Sequence, residues 1–282
     1  MIIGNKEFLD SGRTYVMGIL NVTPDSFSDG GKYNSIERAL KHAEDMVNEG
    51  AHIIDIGGES TRPGYELVGD EEEIRRIVPV IEAVKKEFDV PVSVDTYHSH
   101  VAKAVIDAGA DLINDIWGLV YPENDVPMSE IVSKGKVSVC IMHNSTRLYE
   151  ADAADKQGIG NNNDEIIAEL DKCIRLAESA GIAKNRIMVD PGVGFAKDYN
   201  MNMSMIANVE KFKKWGYPVL LGTSGKSAIG LTLNVPISER LEGTLATTAY
   251  AVLTGCSYVR VHHVKENLKV INMMEGILKY KI

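Results

Sequence analysis

A single (β/α)8 barrel is the fold class that this chain of 282 residues predicts, and three observations predict it. Eight short apolar runs recur along the chain, alternating with segments of helical spacing. Near-continuous apolar character suits strands buried on both faces, as in a parallel sheet. Each run closes on a polar residue, and from Asn21 to His262 these closures recur about every 34 residues, room for a strand and its return helix. The length also fits a fold that usually takes about 250 residues. A doubly wound open sheet is the alternative left by the pattern alone.

The elements follow in order. EFLDSGRTYV (7–16) reads as a small hairpin beneath the barrel floor. The strand runs are TYVMGIL (14–20), AHIIDIG (51–57), PVSVDT (91–96), DLINDI (111–116), VSVCIMH (137–143), RIMVDPG (186–192), PVLLGTS (218–224) and YVRVHH (258–263). Their polar closures are Asn21, Asp55, Asp95, Asp115, His143, Asp190, Thr223 and His262. In a barrel these ends are expected to converge on the one rim that carries function. Helical spacing runs through SIERALKHAEDMVNEG, EEEIRRIVPVIEAVKKEF and NDEIIAELDKCIRLAESAG, and Gly50, Gly109 and Gly181 sit where helices terminate. The polar stretch HNSTRLYEADAADKQGIGNNND (143–164) reads as a long surface loop within one domain, residues 1–282, because the patterns on its two sides are alike.

Composition narrows the function. With 30 Lys+Arg against 40 Asp+Glu, the net charge of −10 argues against a nucleic-acid-coating protein or a basic membrane binder. The acidic excess in EEEIRR and AELDKC reads as a solvated outer face, which leaves local cations free to meet small anions. Cys140, Cys173 and Cys256 are too scattered for a disulfide framework or a metal site and are expected to be reduced. No apolar run approaches the ~18 residues of a membrane span, and MIIGNKEFLDSGR lacks a signal peptide's apolar stretch. A cytoplasmic protein without nucleic-acid or membrane partners is expected.

Two segments at the expected rim carry unusual chemistry. NVTPDSFSDGG (21–31) is too rich in Pro, Asp, Ser and Gly to be helical before Ser35, and GGESTRPG (57–64) is a second punctuated loop with one Arg. The bland reading is a pair of capped turns; as long polar loops on a catalytic rim they read better as lids. GTSGKS superficially suggests a phosphate-binding P-loop, but the spacing needs Gly where Leu220 stands. Arg260 and His262, two apart on one strand, point the same way and suit a diphosphate, whereas His262 and His263 face opposite ways and make poor joint zinc ligands. His98 and His100 open a helical segment and read as cap or solvent-facing residues.

Taken in order, NVTPDSFSDGG, GGESTRPG, VDTY, INDI, VDPGVGF, GTS-KS and RVH resemble the dihydropteroate synthase family, over residues 21–263. The resemblance implies a barrel, usually dimeric, that condenses dihydropterin pyrophosphate with p-aminobenzoate and releases pyrophosphate with Mg2+ assistance. It implies a pterin edge read by Asp190, Asp95 and Asn114, with Ile116, Met142, Phe195, Gly222, Lys226 and Arg260 completing that pocket. Asn21, Thr61, Arg260 and His262 would hold the pyrophosphate, Asn21 also the Mg2+. Phe27, Thr61, Arg62, Pro63, Lys226 and Ser227 would shape the aminobenzoate pocket, and Asp29 would steady a pterin cation, with Lys226, Arg260 and His262 as its catalytic companions. Three departures stand out: Gly225 where the family usually has Arg, His143-Asn144-Ser145-Thr146 for His-Met-x-Gly, and His263 for Asp. A folate-dependent methyltransferase would share the pterin readers but not need the two loops; the departures at Gly225 and 143–146 favour a non-catalytic pterin-binding paralogue, and the two intact loops place the synthase ahead of both.

Overall fold

The computed structural model describes residues 1–9, 12–22, 32–59, 68–145 and 163–281, with backbone alone for residues 32–35. Eight strands form one parallel sheet: β3 (Tyr15–Asn21), β4 (Ile53–Gly57), β5 (Val92–Asp95), β6 (Leu112–Asp115), β7 (Ser138–Met142), β8 (Ile187–Asp190), β9 (Leu220–Leu221) and β10 (Tyr258–Val261). Their order is β8-β7-β6-β5-β4-β3-β10-β9, and a parallel bridge between Val189 and Val219 brings the two ends together. Around them lie α1 (Lys32–Asn48), α2 (Asp70–Glu87), α3 (Ser99–Asp107), α4 (Met128–Gly135), α5 (Asn163–Ser179), α6 (Tyr199–Ala207), α7 (Ser227–Leu233), α8 (Leu241–Thr254) and α9 (Val264–Leu278). The predicted barrel is therefore the observed one. Gly50, Gly109 and Gly181 all take positive φ just beyond helices, as helix-terminating glycines do. The first helix starts at Lys32, ahead of the expected Ser35.

The hairpin exists but lies earlier than predicted. β1 (Ile2–Ile3) pairs antiparallel with β2 (Lys6–Glu7), and Gly4 turns between them at φ +59. Tyr15, which the sequence places in both the hairpin and the first strand run, belongs to β3 alone because its parallel pairing with Tyr258 extends the barrel. The hairpin and Phe8 plug the barrel from below: Ile3 and Phe8 pack with Met17, Ile53, Leu112, Cys140, Met188, Leu220 and Tyr258 in one buried cluster. Those inward residues alternate with outward ones that meet the helices, such as Val16, Ile54, Ile113, Val139 and Val259 in the larger cluster.

The same alternation overturns one expectation. The polar closures do not all face the barrel mouth. The Asp115 carboxylate accepts from the backbone N–H groups of Trp117 and Leu119 at 2.7 and 2.8 Å. His143 Nε2 meets Glu169 on α5 at 3.0 Å, and Thr223 Oγ1 meets Thr247 on α8 at 2.7 Å. Each lies one residue from an inward position, so the pleat turns it toward the loops or helices.

The acidic run EEEIRR also divides. Glu71 is exposed, but Glu73 is buried at 1% exposure, facing the barrel side of α2. Its neighbour across the second loop is Glu59, itself buried and contacted by the Tyr97 hydroxyl. Burial, then the charge of Glu59, push the Glu73 carboxyl up from 4.5 to about 8. His98, expected to cap α3, makes no cap bond; its ring bonds Asp70, while exposed His100 bonds Asp125 at 3.2 Å. All three cysteines are free and buried. Among the described residues no helix is long and apolar enough to cross a membrane.

Two stability predictions follow from this packing. Phe8→Ala should remove the ring that packs 5.0 Å from Tyr15 and 5.8 Å from Tyr258, lowering the unfolding free energy by about 3–5 kcal/mol; urea titration measures it. Because folding raises the Glu73 value from 4.5 to about 8, the folded state retains a proton that the unfolded chain loses in that window. Stability contributed by that proton is full below 4.5 and lost as pH climbs through about 8. Glu73→Gln should flatten this decline in denaturation midpoints measured across the window; an unchanged slope would assign it to other groups.

Candidate active site

The upper interior of the barrel is charged where the lower interior is apolar. Inward positions of five strands place Asp55 (β4), Asp95 (β5), Asn114 (β6), Asp190 (β8) and Arg260 (β10) at its mouth. Arg260 is held from two sides: Nε donates to Asp55 Oδ2 at 2.6 Å and a terminal guanidinium nitrogen donates to Asp95 Oδ2 at 2.7 Å. Asn114 Nδ2 donates to the same Asp55 oxygen at 3.3 Å. One oxygen of each carboxylate, Asp55 Oδ1 and Asp95 Oδ1, is buried without a hydrogen-bond partner. Unpaired buried acceptors are uncommon, and at the mouth of a barrel they mark a place for a donor.

Asp190 and Lys226 form the other side. Asp190 Oδ1 accepts from Gly192 N at 2.7 Å. A Cβ at Gly222 would stand 3.7 Å from Asp190 Oδ2 and 3.7 Å from Lys226 Nζ, so the glycine leaves open the floor between carboxylate and ammonium. Lys226 begins α7, donates to the Val193 carbonyl and lies over the Phe195 ring, 4.7 Å from its centroid. Burial pulls the Lys226 ammonium down to about 8 against the pull of Asp190. Burial also raises Asp190, opposed first by Lys226, and raises Asp95, opposed first by Arg260. Three carboxylates thus share two cations in a low-dielectric mouth, a combination common at functional sites.

Apolar walls flank this group. Ile116 and Met142 are buried with Tyr97 and Trp117, and Phe195 and Tyr121 pack against them. At the rim, Asn21 ends β3 opposite Gly57 in register. Exposed His262 continues β10, its Nδ1 2.9 Å from Ser224 Oγ, while its backbone N–H donates to the same hydroxyl at 3.2 Å. Ser227 is exposed at the first turn of α7. Phe27, Asp29, Thr61, Arg62, Pro63 and Thr146 lie outside the described residues.

The sequence reading missed two of these groups. Asp55 was only a strand closure, yet it shares parity with Ile53 and Gly57, and that parity marks it as inward. Ser224 carried no signal of its own, since its role depends on a neighbour 38 residues away. The departure at Gly225 has a backbone cause: its φ of +68 is left-handed, where an arginine would be strained, although space for a side chain is open. Its N–H and C=O are held by Thr244 and Arg240 at 3.2 and 2.9 Å. Among the described residues no group of three or more His, Cys, Asp or Glu side chains could hold an ion.

Comparison with known proteins shows the family. The family model described as pterin binding enzyme matches residues 17–262. A dihydropteroate synthase of Clostridium beijerinckii is 50% identical over 280 residues, covering 99% of this chain and 100% of that protein. The dihydropteroate synthase of Bacillus subtilis is 46% identical, covering 94% and 89%. Among solved structures, Clostridium difficile dihydropteroate synthase in the presence of pteroic acid superposes with a TM-score of 0.84 at 45% identity, covering 94% of this chain and 97% of that one. The Yersinia pestis enzyme with a sulfonamide drug gives 0.87 at 39% identity, covering 100% and 99%. A family match over residues 17–262 and relatives 46–50% identical over nearly the whole chain lead to one conclusion: the chain belongs to the pterin-binding enzymes, as a transferase of the dihydropteroate synthase family.

Proposed function

We propose that residues 1–282 act as one domain whose barrel mouth joins 6-hydroxymethyl-7,8-dihydropterin pyrophosphate to p-aminobenzoate, yielding 7,8-dihydropteroate and pyrophosphate. The observation that carries this reading is the set of acceptors without donors beside two cations: Asp55 Oδ1 and Asp95 Oδ1, with Lys226 and Arg260. A pterin edge offers an amino group and a ring N–H next to a carbonyl. Asp190, Asp95 and Asn114 read the donors, and the Lys226 ammonium meets the carbonyl. The ring lies over Gly222, walled by Ile116, Met142 and Phe195, with the planar Arg260 guanidinium against its face.

Reaction occurs at the methylene on the pterin ring. The ring donates electron density as the carbon–oxygen bond breaks, so a pterin cation forms; the aminobenzoate nitrogen adds to it and gives up one N–H proton to the departing pyrophosphate. The chain's task is electrostatic: to hold the departing negative charge and to keep water from the cation. Arg260 and His262 serve the leaving group. Ser224 holds the His262 Nδ1 side at 2.9 Å and so orients the ring at the rim where the diphosphate leaves. Asn21 Oδ1 lies 3.8 Å from where Gly57 would carry a Cβ, which leaves room beside a neutral oxygen donor. That suits Mg2+, which takes few protein oxygens and keeps phosphate oxygens and water. When bound, Mg2+ neutralises charge building on the diphosphate. Asp29 steadies the cation; Thr61 also reaches the pyrophosphate. Phe27, Thr61, Arg62 and Pro63 with Lys226 and Ser227 enclose the aminobenzoate.

The assembly proposed is a cytoplasmic homodimer. Support for the dimer comes from exposed Leu231 and Leu233 on α7, Leu253 on α8, and Met273 and Ile277 on α9, an apolar surface carried by successive helices.

The test is pyrophosphate release from the dihydropterin substrate with and without p-aminobenzoate, followed by detection of dihydropteroate. Aminobenzoate-dependent product is expected; tight pterin binding without that product would overturn the reading in favour of a binding paralogue. Asp190→Asn should weaken pterin binding by about 1.5–3 kcal/mol while thermal unfolding stays near normal. Unchanged affinity in calorimetry would remove Asp190 from the pocket.

A further inference from the structure

The turn between β8 and α6 is wound around an ammonium. Gly192, Gly194 and Ala196 take φ of +76, +91 and +50, so three of five consecutive residues are left-handed, and Ala196 carries a side chain that disfavours the region. At the centre of this turn Lys197 Nζ donates to the carbonyls of Gly192, Phe195 and His143 at 2.8, 3.1 and 3.1 Å. Buried Asn202 closes the turn from α6, accepting from Gly194 N at 2.6 Å and donating to Lys197 O at 3.0 Å. A Cβ at Gly192 would run into the His143 carbonyl, so the turn is pressed against the end of β7. Three carbonyls thus turn their negative ends to one ammonium.

What the turn presents on its other side is the site. The Gly192 N–H donates to Asp190 Oδ1 while the Gly192 carbonyl takes the ammonium. Phe195, whose carbonyl is also held, lays its ring over Lys226 Nζ. The His143 N–H donates to the Asp190 backbone carbonyl at 3.1 Å. We propose that Lys197 is a positioning residue for pterin: its ammonium holds the β8–α6 turn in the shape that aims the Asp190 carboxylate and seats the Phe195 ring. The inference rests on the pterin reading above.

Geometry and charge both point that way. Asp190 faces Lys226 from α7, Arg260 from β10, the Gly192 N–H and Lys197 on its own turn, and Cys140 from β7; Asp55 and Asp95 lie beyond Arg260. Lys197 is one of the cations that hold Asp190 ionised against burial. Its removal therefore does two separable things: it loosens the turn and it makes Asp190 easier to protonate.

The test uses the full chain and 6-hydroxymethylpterin as probe, with affinity by calorimetry across pH. Lys197→Met should lose affinity by about 10–100-fold, raise KM for the dihydropterin substrate more than for p-aminobenzoate, and move the acid limb of binding to higher pH. Lys197→Arg, which keeps the charge but presents a planar fork to three converging carbonyls, should lose affinity with the limb in place. Lys197→Ala should regain affinity saturably with propylammonium, which restores the missing atoms, and not with equal sodium chloride. If Lys197→Met is too unstable to study, the alanine variant refolded with propylammonium decides: recovered affinity supports the role. An amine-insensitive loss with an unmoved limb, or wild-type affinity in the variants, overturns it. Absence of pterin binding by the wild type overturns the pterin reading as well, so the two failures are distinguishable.

Discussion

Arg260 lies between Asp55 and Asp95 in the mouth of the barrel, and the rest of the site is built around that arrangement. Taking a guanidinium out of water costs several kcal/mol unless charge and hydrogen bonds return it. Two carboxylates from adjacent strands return it, and Asn114 satisfies part of one of them. With Arg260 neutralised in this way, a third carboxylate, Asp190, falls to Lys226, and the mouth carries more acid than base. A neutral ring with an N–H-rich edge is the kind of ligand that this imbalance favours. The arrangement also requires correct register on every contributing strand, because a one-residue slip would turn each of these side chains to the opposite face.

The barrel separates two duties along its axis. Below, Ile3 and Phe8 seal an apolar layer that keeps water from reaching the charges from the floor. Above, the same inward positions are given to acids, an amide and an arginine, which lowers stability and supplies chemistry. Glycine appears where a flat ligand or a tight approach needs the space: Gly222 between Asp190 and Lys226, and Gly192 against the His143 carbonyl. The net charge of −10 describes mostly the exterior, although Asp55, Asp115, Asp190, Glu59 and Glu73 show that several acids lie inside.

Much of this is legible in the sequence itself. Apolar runs at a spacing of one strand and one helix are enough to name the barrel, since few folds tolerate eight buried parallel strands. Asp95, Asn114, Asp190, Lys226 and Arg260 were picked out by motif, and the structure brings them within one mouth. Asp55, Ser224 and Lys197 were not assigned roles. Each acts through a contact with a residue distant in the chain, and neither spacing nor composition records such contacts. Asp115, His143 and Thr223 read as rim residues because they end strands, and the pleat turns them toward loops and helices because one residue changes the face.

What the sequence determined by itself was periodicity: which segments are strands, which are helices, and which polar residues close them, because local spacing alone encodes these. What the tertiary structure alone decided was pairing. The position of the N-terminal hairpin, the burial of Glu73 beside Glu59, the grip of Asp55 on Arg260 and the winding of a left-handed turn about Lys197 all depend on which strand neighbours which. Those neighbours are fixed by closure of the barrel, a condition on the whole chain that no local stretch of residues contains.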